Sequence, residues 1–209
     1  MKIVLFGASG KFGIQILEQA LDAGHIVTAF VRTPSKMQIQ HPNLTLFQGD
    51  ATDAEAVDKA ISGQDAVISA LGPSRPPVPY MMETAAKNIV AGMKKHGVQR
   101  LVSTAGAGVR QPQDEPKFID LFMMALLNVL VKNVLLDVKE NVKVIQASDL
   151  DWTITRFPRL VDGERTGRYR VGYVGKDSGT QISRADGADF VLKELVGREW
   201  LKKLPVASY

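Results

Sequence analysis

The sequence predicts an α/β protein built on a doubly wound parallel sheet with helices on both faces. Three observations carry this. Short β-branched runs alternate with amphipathic stretches, the pattern of right-handed βαβ units. Runs such as 66–71 are apolar at nearly every position, as strands covered on both faces are. The stretch GASGKFG at 7–13 sets three glycines three apart between the first strand-like run and the first helix-like one.

The first strand is 2–6 (KIVLF), and the helix after the glycines places Ile14, Leu17, Ala20 and Leu21 on one face. Strand-like runs recur at 26–32, 44–48, 66–71, 99–104 and 152–157. A helix over 53–61 starts best at Asp53, because Glu55 and Ala56 open the helix behind it. Another covers 80–96, where Ile89, Val90 and Met93 share a face. Proline-dense GPSRPPVP at 72–79 reads as a stiff loop after the fourth strand. The last third reads as a long helix over 117–147, a strand, a Gly/Arg-rich loop (GERTGRYR at 163–170), a short run at 169–174 and a helix at 184–196. The segment after the last strand of such a sheet closes over the ligand, so 157–183 forms a small substrate-binding portion. No repeat or linker interrupts the pattern, and 1–209 reads as a single domain.

At 209 residues, 45% of them hydrophobic, the chain can bury one sizeable core. It has no cysteine, which excludes disulfides, thiolate catalysis and cysteine-rich zinc sites and fits a reducing cytoplasm. No metal site is expected. Met1 leads straight into a strand-like run with neither basic flank nor cleavage site, so no signal peptide is expected. The most apolar stretch, LFMMALLNVLV at 121–131, falls short of the roughly 20 residues that cross a bilayer. A soluble, cytoplasmic protein follows. Lys and Arg number 26 against 22 Asp and Glu, for a net charge of +4, and are spread along the chain. That argues against nucleic acid as a partner and suits a polyanionic small molecule.

In the G-x-x-G-x-x-G loop, Gly7 makes the tight turn off the strand, Gly10 lets backbone N–H groups approach a pyrophosphate, and Gly13 lets the helix pack close to the sheet. With a strand before it and a helix after it, the loop implies a Rossmann-like dinucleotide site, the helix start at Ser9–Lys11 facing the phosphates. An NAD site carries an acidic residue at the end of its second strand. Here no Asp or Glu lies between Asp22 and Asp50, and the second strand ends in Arg32, followed by Thr33, Ser35 and Lys36. A guanidinium there suits a 2′-phosphate, so NADP(H) is favoured. Asp50, followed by Ala51 after the third strand, can accept from an adenine amino group. Ala70, Leu71 and Gly72 end the fourth strand, where small residues let backbone pass beside the ribose.

At these residues the chain resembles the atypical short-chain dehydrogenase/reductases with NmrA-like members, and among them the flavin reductase/biliverdin-IXβ reductase group. The similar stretches are IVLFGASGKFG, AVDKAISGQDAVISALG, AAKNIVAGMKKHGVQRLV, SDLDWTITRFPRL and ISRADGADFVL, between residues 3 and 192. The resemblance implies that Gly7, Ser9, Gly10, Lys11, Phe12 and Gly13 hold the pyrophosphate and that Arg32, with Lys36, holds the 2′-phosphate. It sets Asp50 and Ala51 at the adenine, Leu71 and Gly72 at the ribose, and Phe157, Pro158, Arg159 and Leu160 beside the nicotinamide. Arg75 matches a basic residue just after the fourth strand in the reductases.

The Tyr-x-x-x-Lys pair of the larger superfamily is absent: Tyr80, Tyr169 and Tyr173 are followed four residues on by Thr84, Tyr173 and Asp177. Where the reductases have a serine near the nicotinamide this chain has Gly106, and the nearest hydroxyls are Ser103 and Thr104. Where they have a histidine it has Arg159. Ser103, Thr104 and Arg159 are therefore the candidate catalytic residues. Arg159 either attracts an anionic acceptor or pairs on the surface with Asp162. Ketone reduction needs a proton at the oxygen, whereas a flavin spreads the added charge over its rings and takes its proton from water. The expected function is NADPH-dependent reduction of a small-molecule acceptor (flavin-like, quinone-like or tetrapyrrole) by direct hydride transfer, in a monomer or homodimer. The alternative is a non-catalytic NADP(H)-binding redox sensor of NmrA type, for which PKFIDLFMMALLNVLVKNVLL at 116–136 is either the interaction surface or a buried helix.

Overall fold

The computed structural model describes residues 1–74, 76–118 and 132–209. β1 (Lys2–Phe6) passes through the glycine loop into α1 (Lys11–Asp22), followed by β2 (Ile26–Val31), a 3-10 turn (Pro34–Lys36) and β3 (Leu44–Gln48). Next come α2 (Ala54–Ile61), β4 (Ala66–Ser69), α3 (Met81–His96), β5 (Arg100–Gly106), α4 (Lys132–Gln146) and β6 (Asp151–Phe157). The remainder holds β7 (Arg159–Val161), β8 (Arg170–Gly172), β9 (Gln181–Ser183), α5 (Arg184–Gly197) and β10 (Val206–Ser208).

The main sheet has eight strands in the order β3-β2-β1-β4-β5-β6-β10-β8. β1 pairs in parallel with β2 on one side and β4 on the other, so the winding reverses there. Its edge strand β8 runs antiparallel to β10, and β7 and β9 form a separate parallel pair. The helices cover both faces. Val57, Ile61, Ala85, Ile89, Val142 and Ile145 of α2, α3 and α4 pack with Val4, Val67 and Leu101 on one side. Ile16, Leu17, Ala188 and Val191 of α1 and α5 pack with Ile3, Leu5, Ile68 and Val102 on the other. β4 is buried at all four positions, whereas β3, at the sheet edge, is largely exposed.

The expected strands are present with shifted ends: β4 stops at Ser69 and β5 continues to Gly106. Asp53 caps α2, its Oδ1 accepting from the N–H groups of Glu55 and Ala56 at 2.9 and 3.2 Å. β7, β9 and β10 are three residues each, too short to show a period in sequence. Of the helix expected over 117–147, the described residues contain Lys132–Gln146. Arg75 and the stretch LFMMALLNVLV lie outside the described residues. Among the described residues no helix is long and apolar enough to cross a membrane, and no cluster of side chains is arranged to hold a metal.

A buried guanidinium ties the end of the sheet together. Arg156 of β6 is 0% exposed. Its Nε donates to the Leu204 carbonyl at 2.7 Å and its Nη1 to the Val109 carbonyl at 2.6 Å, while Nη1 and Nη2 grip Asp114 at 2.7 and 2.8 Å. Asp114 also accepts from the N–H groups of Gln111 and Val174. Burial alone would raise the Asp114 carboxyl. The bonds from Arg156 and Gln111 outweigh it and hold the group below its usual range. Its contribution to stability is therefore present above the unfolded-state value, about 3.9, and is lost as pH falls through the lower folded-state value.

Asp114→Ala leaves the Arg156 charge buried without an anion and is expected to cost about 3–5 kcal/mol, read as a lower urea midpoint at unchanged slope. Asp114→Leu combined with Arg156→Met is expected to cost less than Asp114→Ala alone. A double variant as unstable as the single one refutes the assignment.

Candidate functional site

The glycine loop separates packing from binding. Gly7 has φ +81°, and a Cβ on it would sit 2.5 Å from the Ala70 carbonyl oxygen; a Cβ on Gly13 would overlap the Gly7 carbonyl. The protein's own backbone requires both glycines. Gly10 is different: its backbone is extended, with φ −76° and ψ 155°, and a Cβ there would meet only the Gly7 carbonyl oxygen, at 3.3 Å. The fold crowds a side chain here far less than at Gly7 or Gly13, and a glycine at this position leaves room for an anion to lie over α1. No side chain caps α1 and no acidic residue lies in its first turn. The N–H groups of Lys11, Phe12 and Gly13 thus have no helical carbonyl to bond and present the positive end of the helix. Ser9 is exposed beside them. These residues fit a pyrophosphate.

Arg32 follows β2 directly and is exposed, as is Lys36 at the end of the 3-10 turn. The Arg32 carbonyl accepts from the Gln48 side chain at 3.5 Å. Asp50 Oδ1 accepts from the Thr52 N–H at 2.9 Å and hydroxyl at 2.7 Å. These bonds, with a smaller contribution from the Arg32 charge, hold its carboxyl below the usual range against the effect of burial. Both bonds fall on Oδ1, so Oδ2 is left for another donor. Ala51 is buried, and its carbonyl accepts from Asn88 at 3.0 Å.

A cavity of about 290 Å³ opens at the carboxyl ends of the strands. β4 leads into it with Ala70, Leu71 and Gly72; β5 contributes Thr104, Ala105 and Gly106; Phe157 and Pro158 come from β6. Phe12, Met82, Val138 and Leu160 close its sides. A Cβ on Gly72 or Gly106 would point into open space, so these two glycines leave bare backbone at the crevice. The Phe12 ring meets Phe157 edge-on with centroids 5.2 Å apart, joining the glycine loop to the end of β6. Among the described lining residues Thr104 carries the one polar side chain and none is titratable.

The candidate catalytic residues separate. Thr104 reaches the cavity; Ser103 is 2% exposed, stays within the sheet and does not line it. Arg159 is exposed on β7 beside Leu160. Asp162 pairs with Arg184 at 2.5 Å rather than with Arg159.

The tyrosines are placed elsewhere. The Tyr169 hydroxyl donates to Asp189 at 2.6 Å, and burial together with that carboxylate pushes its titration well up. Tyr173 packs against Trp200, and Tyr80 is exposed ahead of α3. The Tyr209 hydroxyl donates to Asp186 at 2.8 Å. Asp186 and Asp189, inside α5, also hold the loop over 163–170: Asp186 accepts from the Thr166 hydroxyl and the Thr166 and Gly167 N–H groups, and Asp189 from Arg165. The ISRADGADFVL stretch thus has a structural reason for both of its acids. Sequence reasoning missed this anchor, although a pair of acids on the buried face of a helix is its signal.

A dinucleotide site at the reversal point of a doubly wound sheet defines a Rossmann-type nucleotide-binding protein. The NAD(P)H-binding family model matches residues 7–196, and the chain belongs to that family. It is 32% identical over 210 residues to the uncharacterized protein YwnB of Bacillus subtilis (strain 168), covering 93% of this chain and 92% of YwnB. A crystal structure of a protein from Burkholderia pseudomallei superposes with a TM-score of 0.78 at 31% identity, covering 100% of both chains. The anaerobillin reductase ChuY of Escherichia coli O157:H7 superposes with a TM-score of 0.78 at 22% identity, covering 100% of this chain and 97% of ChuY. The motifs, the family and the fold agree on an NAD(P)H-binding protein of Rossmann type.

With Arg32 after β2 and no carboxylate nearby in sequence, NADPH is expected to bind at least about tenfold tighter than NADH, roughly 1.4 kcal/mol, and Arg32→Asp to reverse the order. Titration giving equal affinities refutes the placement of the 2′-phosphate. Gly10→Val is expected to abolish cofactor binding while the far-UV spectrum stays unchanged.

Proposed function

We propose that the protein is an NADPH-dependent reductase that passes hydride directly to a flat conjugated acceptor of flavin, quinone or tetrapyrrole type. One observation carries this reading: among the described residues that line the cavity at the strand ends, Thr104 has the one polar side chain and none is titratable. When bound, the reduced nicotinamide supplies the hydride. The chain's part is to hold two rings against each other between Phe12, Leu71 and Phe157 and to keep water out of the space between them. A carbonyl substrate would need an acid at its oxygen, and no tyrosine lines this cavity. A conjugated acceptor delocalises the charge it gains and takes its proton from solvent at the open edge. In this reading the Thr104 hydroxyl donates one hydrogen bond to a ring nitrogen or oxygen. Arg159, exposed and not paired with Asp162, supplies positive charge beside the mouth.

NADPH oxidation measured with riboflavin, with a quinone and without acceptor tests the reading; turnover is expected with at least one acceptor. Tyr80→Phe and Tyr173→Phe are expected to leave kcat within about twofold, and Ser103→Ala with Thr104→Val to cost at most about tenfold. Arg159→Ala is expected to raise the acceptor KM more than it lowers kcat. Loss of all turnover in one tyrosine variant refutes the acid-free mechanism. Tight NADPH binding with no acceptor reduced puts the redox-sensor reading first.

A further inference from the structure

A second hollow, of about 330 Å³, lies between the first turns of α1 and α5. Lys11, Ile14 and Gln15 line it from α1, Arg184 from α5, and Asp162 and Gly163 from the segment after β7. Lys11 is exposed and enters none of the ion pairs among the described residues. Arg184 bonds Asp162, whose side chain is 84% exposed. The Arg184 side chain is 21% exposed, so its guanidinium is held in the groove while the carboxylate stands in water, and an incoming anion takes the place of the solvated carboxylate at little cost.

The two hollows share a wall. Phe12, which lines the acceptor cavity, follows Lys11 in the chain, and Leu160 stands two residues before Asp162. Both pack against α5 at Gly187, where an added Cβ would come within 3.1 Å of the Phe12 ring and 3.4 Å of Leu160. Gly187 lies three residues beyond Arg184, one turn of the same helix.

We propose that this groove is a subsite for the anionic arm of the electron acceptor, a carboxylate or phosphate carried on a flexible chain beyond the flat ring. The proposal rests on the reductase reading above. Arg184 supplies a planar, two-pronged donor matched to either anion, and Lys11 adds a point charge across the groove. Asp162 acts as the counter-ion when no acceptor is present. The arm fixes which way round the ring enters the cavity, a choice the apolar walls make poorly on their own.

Riboflavin and FMN share one ring system and differ in a terminal phosphate, so they isolate the arm. Quenching of flavin fluorescence on titration with the NADP⁺-loaded protein is expected to show FMN bound about fivefold tighter than riboflavin, less so as salt is added. Arg184→Gln is expected to bring the two within about twofold without changing riboflavin or NADP⁺ affinity, and Asp162→Asn to widen the preference. Equal binding of the two flavins by the unaltered protein overturns the subsite while leaving the reductase reading intact. Weaker NADP⁺ binding in Arg184→Gln, with the FMN preference kept, assigns the groove to the cofactor and also overturns it. If neither flavin binds and no acceptor is reduced, the reductase reading falls and the subsite falls with it.

Discussion

The crevice depends on one close approach of backbone to backbone. Gly7 leaves β1 in a left-handed conformation so near the end of β4 that no side chain fits against the Ala70 carbonyl. Gly13 presses the start of α1 onto the Gly7 carbonyl in the same way. Together these contacts seat the first turn of α1 directly behind the gap between β1 and β4, where the winding reverses. The amide groups of that turn face the gap because the helix cannot sit further back. A methyl group at either position would push α1 off the sheet, and with it Phe12, which reaches Phe157 and closes one side of the cavity.

Charge is arranged by the opposite logic. Ionisable groups are buried behind the crevice, each supplied with partners, and none is among the described residues of its wall. Arg156 and Asp114 share their bonds with the loop after β5. Arg100 in β5 donates to the carbonyls of Asp151, Glu194 and Leu195; burial brings its pKa down to about 10 and pushes the Glu194 carboxyl up. Asp186 and Asp189 gather the arginine-rich loop onto α5. An unpaired charge in an apolar cavity would be costly, and a paired one would fill the space a ligand needs. Keeping these networks in the frame ties the loops down, and the described lining of the cavity stays apolar apart from Thr104.

This division decided what could be read from sequence. The strand, loop and helix at 2–22 were legible because local pattern and fold agree there: an apolar run, spaced glycines, then a helical period. Asp53 as the cap of α2 was legible for the same reason, since a cap is a local interaction. Tertiary pairings were not. Arg156 meets Asp114 across 42 residues of chain, and nothing around either residue announces the other. Asp162 lies near Arg159 in sequence and nearer Arg184 in space, because β7 pairs with β9 and brings the start of α5 alongside. Ser103 and Thr104 look alike in sequence; alternation along β5 keeps one in the sheet and sends the other to the cavity.

In the reductase proposed above, an apolar cavity with cations at its rim acts on the two ends of an acceptor in different ways. Inside, contact area holds a flat ring but distinguishes poorly between its two faces and its two ends. Outside, Lys11 and Arg159 are exposed and Arg184, itself partly buried, is paired with a carboxylate that stands in water, so the charge pairing at the rim is weak and exchanges readily. Weak pairs are the right kind for this task. They bias the orientation in which the ring enters, yet release the reduced product, which a buried pair would retain. The same weakness explains why an exposed aspartate can stand opposite Arg184 without blocking the groove. Recognition by charge at the edge and transfer in an apolar centre then need no ionisable residue at the reacting atoms, which is the chemistry this wall of Thr104 and hydrocarbon allows.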